Sequence, residues 1–137
     1  MPDEKKQISI PKMLPPSLRS HKRYIVFEII SEKPIDYGDF VNAVWESMLE
    51  FLGEDQTAES EMWLIQNLYN DKTQRGVIKC RHDFVERIRT SISLIQVIGE
   101  TRAAIRIIGV TGTIKSAKTR YFEESNEGLK RFSEGEP

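Results

Sequence analysis

The chain has 137 residues, of which 39% are hydrophobic, and this is enough for one domain with a single core. Its one cysteine, Cys80, excludes an internal disulfide and disfavours a zinc site built on cysteines, so a reducing compartment fits. Because no apolar run is long enough for a membrane helix or a signal peptide, we expect a soluble, cytoplasmic protein with no membrane partner.

Charge is distributed unevenly along the chain, although the net charge is only −1. Residues 28–61 hold ten acids and one base, a net charge of −9, whereas residues 12–23 carry +4 and residues 72–122 carry +8. If the two basic blocks meet in the fold, they form a local surface for a polyanion. The acidic block would then face elsewhere.

The first third of the chain predicts an arm, a strand and a helix. Residues 1–18 contain four prolines, which remove backbone donors and hold their neighbours extended, so we expect a flexible arm. Residues 23–30 are rich in β-branched and aromatic side chains and predict a central strand. Asp36 can cap a helix whose apolar residues recur at helical spacing as far as Gly53. A polar connection is expected over residues 54–60.

The middle of the chain predicts a β-hairpin. Residues 62–69 and 77–81 have the composition of strands, and residues 70–76 have that of a turn. Lys72 and Arg75 would then lie at the tip of the hairpin.

A second helix and a fourth strand follow. Asp83 and Glu86 have the spacing of a capping box, which predicts a helix that ends at Gly99. The first half of the stretch 102–122 is β-branched and nearly uncharged, which is typical of a buried strand. Its second half predicts about two helical turns over residues 114–122. Residues 123–137 are polar and acidic and are expected to form a tail.

The order strand, helix, strand, strand, helix, strand predicts an α+β fold over residues 19–122. It is a ferredoxin-like βαββαβ sandwich, with a four-stranded antiparallel sheet, both helices on one face and a short C-terminal helix. In this arrangement the start of the first strand lies beside the end of the last one. We therefore expect two basic groups to be adjacent at one edge of the sheet: Arg19, Lys22 and Arg23 from the first, and Lys115, Lys118 and Arg120 from the second.

Residues that could support catalysis are not arranged for it in the sequence. His21 and His82 stand outside any metal-ligand pattern, and Cys80 is interpreted as a small core residue. The glycines at 109 and 112 lack the spacing and the following residues of a phosphate-binding loop. We therefore predict that the chain has no catalytic site of its own.

The sheet is not predicted to bind single-stranded RNA in the usual way. Typical RNA-recognition domains stack bases on aromatic residues of the third and first strands, but residues 76–81 contain none. Tyr24 or Phe27 would supply at most one platform. A basic sheet face for phosphate contacts with structured RNA is expected instead, formed by Lys79, Arg81 and Arg106. Solvated cations on an exposed strand are an equally good interpretation of these three.

Three segments in matching order extend over residues 14–122. They are LPPSLRSHKRYI (14–25), YNDKTQRGVIKCR (69–81) and GTIKSAKTRYF (112–122). Together they closely resemble the archaeal ribonuclease P protein component 2 family, which is related to the Pop subunit shared by eukaryotic ribonucleases P and MRP.

The resemblance implies a non-catalytic subunit of a ribonucleoprotein endonuclease, a hydrolase that removes the 5′ leader from precursor tRNA. In this family the RNA subunit performs the cleavage with Mg²⁺, so no cofactor is expected on this chain. The implied partners are the ribonuclease P RNA, precursor tRNA indirectly, and protein component 3, in pairs that can associate further into a heterotetramer. From the charge pattern, the predicted RNA-binding residues are Arg19, Lys22, Arg23, Lys79, Arg81, Lys115, Lys118 and Arg120.

Two other functions stay open at this point. One is an RNA-binding subunit of another ribonucleoprotein, such as a ribosome-assembly factor. The other is a small-ligand regulatory domain of the same fold, which would need a compact apolar pocket and which the two basic blocks disfavour.

Overall fold

The computed structural model describes residues 21–123, which form a mixed α/β fold of five strands and three helices. The elements are β1 (Lys22–Ser31), α1 (Tyr37–Glu59), β2 (Trp63–Leu64), β3 (Arg75–Arg81), α2 (Val85–Ser93), β4 (Val97–Ile98), β5 (Thr101–Thr111) and α3 (Ile114–Ala117). A π-helical segment, Lys118–Glu123, continues α3, and the two together are called the C-terminal helix below. The predicted arm over residues 1–18 and the predicted tail after Glu123 lie outside the described residues.

All five strands join one antiparallel sheet in the order β2-β3-β1-β5-β4. The prediction of four strands is therefore one short. The additional strand, β4, pairs with the start of β5 through Val97 and Ile98, in a hairpin that turns at Gly99. Gly99 thus lies in a turn between strands and does not end α2, which stops at Ser93 because the β-branched residues that follow pair with β5.

Helices α1 and α2 cover one face of the sheet, called the helix face below, and form the main core with it. Ile25, Phe27 and Ile29 of β1 alternate toward this face and are buried. The ring of Phe27 stacks on that of Phe40 in α1, with 4.8 Å between the ring centroids. Ile88 is one of the fully buried residues that α2 contributes. This core holds β1 rigidly at the centre of the sheet.

The start of α1 confirms the predicted cap, but its end differs from the prediction. The Asp36 carboxylate accepts a hydrogen bond from the backbone N–H of Asp39 at 3.3 Å. Gly53 has φ 86° and interrupts the helix, as a glycine at a helix end often does. The chain then forms another helical segment as far as Glu59, instead of the expected polar connection. Thr57 is buried there, and its hydroxyl donates to the carbonyl of Met48 at 3.3 Å, which satisfies a carbonyl at the end of the first segment.

Two local predictions in the middle of the chain are wrong. The expected strand over residues 62–69 is limited to Trp63–Leu64, because Gln66–Leu68 forms a 3₁₀ turn. The expected capping box at α2 is absent. The carboxylate of Asp83 accepts a hydrogen bond from Arg81 at 2.8 Å, and α2 begins later, at Val85, without a side-chain cap.

The C-terminal helix packs on the other face of the sheet, called the outer face below. Ala117 is fully buried there against Val26 and Val77, and Tyr121 and Phe122 are packed around them. Tyr121 lies directly over Gly109, where any Cβ would overlap the phenol ring and hydroxyl. The C-terminal helix therefore covers the middle of the outer face and leaves its two ends open.

Candidate nucleic-acid interface

Three cations meet at one end of the outer face, called the basic sheet end below. In the strand register Lys22 pairs with Arg81, and Lys79 pairs with Tyr24. Since side chains alternate along a strand, Lys22, Lys79 and Arg81 all project from the face opposite α1 and α2. Cross-strand neighbours have Cβ atoms about 5 Å apart, so the three side chains form one local group.

The electrostatics of the basic sheet end reflect this crowding. Burial lowers the pKa of Lys22 below its usual value, and the positive charges of Lys79 and Arg81 lower it further. Two nearby acids offset part of the charge: Glu61 contacts Lys22, and Asp83 contacts Arg81 at 2.8 Å. Lys79 has no acidic partner within residues 21–123. An approaching phosphate would thus find Lys79, which is unpaired within the described residues, beside two partly neutralised cations in the next row.

A second group of cations lies on the C-terminal helix. Lys115, Lys118 and Arg120 are all exposed. The N-cap residue Thr113 accepts a hydrogen bond from the backbone N–H of Ser116 at 3.0 Å, which fixes the first turn. Among the described residues, none of the three cations forms an ion pair. The buried side of this helix anchors it to the sheet, so these charges project from a fixed base.

The register places the two groups at the same end of the sheet. Tyr24, near the start of β1, pairs with Thr111, at the end of β5, only three residues before the C-terminal helix begins. Tyr24 is itself half-buried under that helix. This agrees with the expectation that the start of the first strand lies beside the end of the last.

Other candidate residues occupy different places. The guanidinium of Arg23 donates to the carbonyl of Lys22 at 2.9 Å, and its strand position faces the helices. Arg106 forms an ion pair with Glu28 at 2.6 Å, about four residues or 13 Å along the strand from the Tyr24–Lys79 pair, so the structure does not group it with the basic sheet end. Arg19 lies outside the described residues.

Phe27 cannot be a stacking platform, because it is 1% exposed and packed in the main core. Tyr24 is also partly covered, as described above. Among residues 21–123, the exposed aromatic residue of the outer face is Trp63, which sequence reasoning missed. It lies on β2 opposite Lys79 and is 65% exposed. The available signal was the alternation of side chains along a strand, which places Trp63 on the face opposite the buried Met62.

Candidate catalytic residues are not assembled into a reactive site. His21 and His82 are exposed and meet edge to face, with 5.8 Å between their ring centroids. Burial raises the pKa of the Cys80 thiol to about 11, so the thiolate is disfavoured. Within residues 21–123, no group of three or more histidine, cysteine, aspartate or glutamate side chains could hold a metal ion.

A cleft of about 510 Å³ separates the loop around residues 67–73 from the C-terminal helix. Asn70, Asp71 and Lys72 line one side, and Tyr121 lines the other. The lining of the cleft is about equally polar and apolar, in contrast to the compact apolar pocket that a small-ligand regulatory domain would need.

The fold and these surfaces define a small mixed α/β protein with two basic surfaces on one side of an antiparallel sheet. None of the helices in the described part of the chain is both long and apolar enough to cross a membrane. The family comparison is specific: the model of the Rpp14/Pop5 family matches residues 23–122, and the chain belongs to this family.

Similar proteins come from several archaea and share one name, ribonuclease P protein component 2. The protein of Pyrococcus furiosus is 39% identical over 83% of this chain and 93% of its own length. The protein of Methanothermobacter thermautotrophicus is 32% identical over 85% of this chain and 97% of its own length. Among solved structures, a chain of yeast ribonuclease MRP matches with a TM-score of 0.53 and 13% identity, over 84% of this chain and 95% of that chain. At this identity the structural match shows a shared fold.

Proposed function

We propose that the chain is a protein subunit of ribonuclease P, which assists the removal of the 5′ leader from precursor tRNA in the cytoplasm. The observation that supports this most directly is the similarity of 32–39% identity to proteins named ribonuclease P protein component 2, over nearly their whole length. The strand order β2-β3-β1-β5 within the sheet supports assignment to the ferredoxin-like class.

In this proposal the chain binds the catalytic RNA and does not cleave the substrate. The RNA subunit performs the cleavage with Mg²⁺, and the protein neutralises phosphates so that the folded RNA keeps its active geometry at a lower magnesium concentration. The basic sheet end and the C-terminal helix are the surfaces that suit this role, because both display cations from a rigid sheet. Arg19 would add a phosphate contact beside them, whereas Arg23, whose strand position faces the helices, lies on the opposite side of the sheet.

A separate surface suits the protein partner, for which we propose protein component 3. Phe51, Leu94 and Val97 are 48%, 60% and 52% exposed around a groove between α1 and the α2–β4 connection. Glu46 and Glu50 line the same groove. Beneath it, the hydroxyl of Ser47 donates to the carbonyl of Ser91 and holds α1 to α2. Exposed apolar side chains flanked by acids suit a partner that presents apolar residues with basic neighbours, and they lie on the helix side, away from the proposed RNA surface.

The test of the ribonuclease P assignment is a reconstitution. Cleavage of a precursor tRNA by ribonuclease P RNA and component 3 is measured at moderate Mg²⁺, with and without this chain. We expect cleavage to depend on the chain, and to be lost when it is replaced by an unrelated basic protein of the same size. Equal cleavage without the chain, together with no binding to the RNA, would refute the assignment. Preferential binding to a ribosomal RNA fragment would favour the ribosome-assembly alternative.

The partner surface is tested with the double variant Phe51→Ser, Leu94→Ser. We expect it to lose co-elution with component 3 in size-exclusion chromatography and to keep its affinity for RNA. Ile30→Ser is the matched control, because Ile30 is an apolar residue of similar exposure, 53% accessible, on the outer face of the sheet. Co-elution that survives the double variant would place the partner on another surface.

A further inference from the structure

Trp63 has an exposure that the fold does not require. Its side chain is 65% accessible, and it belongs to neither of the two apolar clusters. Within residues 21–123 no other ring packs against the indole and no cation lies over it. Its strand neighbour Leu64 packs instead against the main core. Trp63 is therefore held by β2 on the outer face, and most of its surface is left exposed by the described residues.

The neighbours of Trp63 are cations. It pairs across the strands with Lys79, and Lys79 pairs in turn with Tyr24 on β1. At a spacing of about 4.8 Å between strands, this row extends about 10 Å from the sheet edge to the edge of the C-terminal helix. Lys22 and Arg81 occupy the next row toward the sheet end. The indole thus lies beside the basic sheet end, at the open edge of the sheet.

This combination points to one kind of occupant. Surfaces that bind unpaired nucleotides combine aromatic platforms for the bases with cations that follow the phosphates. The centre of a protein–protein interface, in contrast, is depleted in lysine and acidic residues, although aromatic residues and arginine are enriched there. An exposed indole flanked by Lys22, Lys79 and Arg81 therefore has the composition of a surface that binds unpaired nucleotides, and not that of the centre of a protein–protein interface.

We propose that Trp63 is a base-stacking platform for an unpaired nucleotide of the bound RNA, with Lys79 neutralising the adjoining phosphate. The proposal rests on the proposed RNA-binding function and adds to it a contact that recognises single-stranded RNA rather than phosphates alone. The platform comes from the edge strand β2, whereas the usual RNA-recognition domains take theirs from the two central strands. This explains how a sheet without aromatic residues on β3 can still accept a base.

The experiment uses the full chain with Trp45→Phe, which leaves Trp63 as the single tryptophan of the two in the sequence. Octaadenylate RNA and an abasic RNA of the same length are titrated against its fluorescence. We expect octaadenylate to quench the emission, and the abasic strand, which has the same phosphates, to leave it nearly unchanged. Equal quenching by both strands would overturn the proposal. So would a Trp63 that acrylamide cannot reach in the free protein, because the chain itself would then cover it.

Affinity gives an independent readout. Trp63→Ala should weaken octaadenylate binding by about 5- to 150-fold, the range for the loss of one stacked base, and should leave abasic binding unchanged. Trp63→Phe keeps a smaller platform and should recover most of the affinity. The control Trp45→Phe, on α1, should bind as the parent does.

The outcomes separate this proposal from the one it rests on. If Lys79→Gln weakens RNA binding and Trp63→Ala does not, the stacking platform is refuted and the RNA-binding function stands. If the parent binds neither strand nor ribonuclease P RNA, both proposals fail. A Trp63→Ala variant that loses component 3 but keeps its octaadenylate affinity would assign the indole to a protein contact and would also refute the platform.

Discussion

Removing the charges of the C-terminal helix should weaken RNA binding without unfolding the protein. The perturbation is the triple variant Lys115→Gln, Lys118→Gln, Arg120→Gln. All three side chains are exposed, and none forms an ion pair within the described part of the chain. The residues that anchor this helix, Ala117 and Tyr121, are unchanged, so we expect the free energy of unfolding to change by less than about 0.5 kcal/mol.

The magnitude follows from counterion release. Each phosphate contact contributes about 0.7 to 0.9 to the slope of log affinity against log salt concentration, so three lost contacts should reduce the slope by about 2 to 2.7. Between 50 and 200 mM salt, a fourfold change, the affinity of the parent should then fall about 15- to 40-fold more than that of the variant. Because a salt slope counts contacts, it separates lost phosphate contacts from a general loss of folded protein.

The assay is a fluorescence-anisotropy titration of ribonuclease P RNA at several salt concentrations, combined with thermal unfolding. The matched control removes three charges elsewhere, through Lys33→Gln, Arg87→Gln and Arg102→Gln, which are exposed on other parts of the surface. An unchanged slope in the first variant would refute the reasoning. An equal reduction in the control would show that net charge alone, rather than this helix, determines binding.

Three further predictions concern the core, the support of the C-terminal helix and the response to pH. Phe27→Ala should lower the free energy of unfolding by about 3 to 5 kcal/mol, measured by urea denaturation, because a fully buried ring that stacks on Phe40 leaves a cavity; a loss below 1 kcal/mol would contradict this core position. Gly109→Val should destabilise the protein by about 1 to 3 kcal/mol and reduce its RNA affinity, because the new side chain would displace Tyr121 and the cationic helix that carries it. Gly112→Ala is the control: Gly112 has open space around it, so RNA affinity should stay unchanged. Between pH 9 and pH 11 the free energy of unfolding should fall as pH rises. Burial raises the pKa of Cys80 from its ordinary value of 9.0 to about 11, so over this range the folded protein keeps a proton that the unfolded chain releases. Cys80→Ala should show a shallower decline in stability, and an equal decline would exclude the thiol as its source.

Much of the fold could be predicted from local patterns. The central strand β1, the cap at Asp36 and the strand β5 followed by a helix all rest on features that are strong over a short range: β-branched runs, a capping side chain and glycine near an element end. The adjacency of β1 and β5 followed from the order of the elements.

The features that the sequence analysis predicted wrongly, or did not predict, have physical causes. Strand β4 has two residues, which is too short for any periodicity, and it exists only because β5 pairs with it. The capping box failed because Arg81, two residues upstream, competes for the carboxylate of Asp83. The position of Trp63 could not be read from the pattern alone, because the alternation shows that Met62 and Trp63 face opposite sides and does not show which part of the outer face the C-terminal helix covers.

The edges of the sheet determine how easily the backbone of a neighbouring chain can pair with this protein. Strand β4 is only two residues long and pairs with β5 only at Thr101 and Arg102, so within the described residues most of the outer edge of β5 has no strand partner. A long, flat edge would let copies of the protein zip together through their backbones, regardless of sequence. The bulge in β5, where the register with β1 shifts between Val26 and Phe27, bends this edge and disfavours flat strand addition, so recognition of neighbours depends more on side chains.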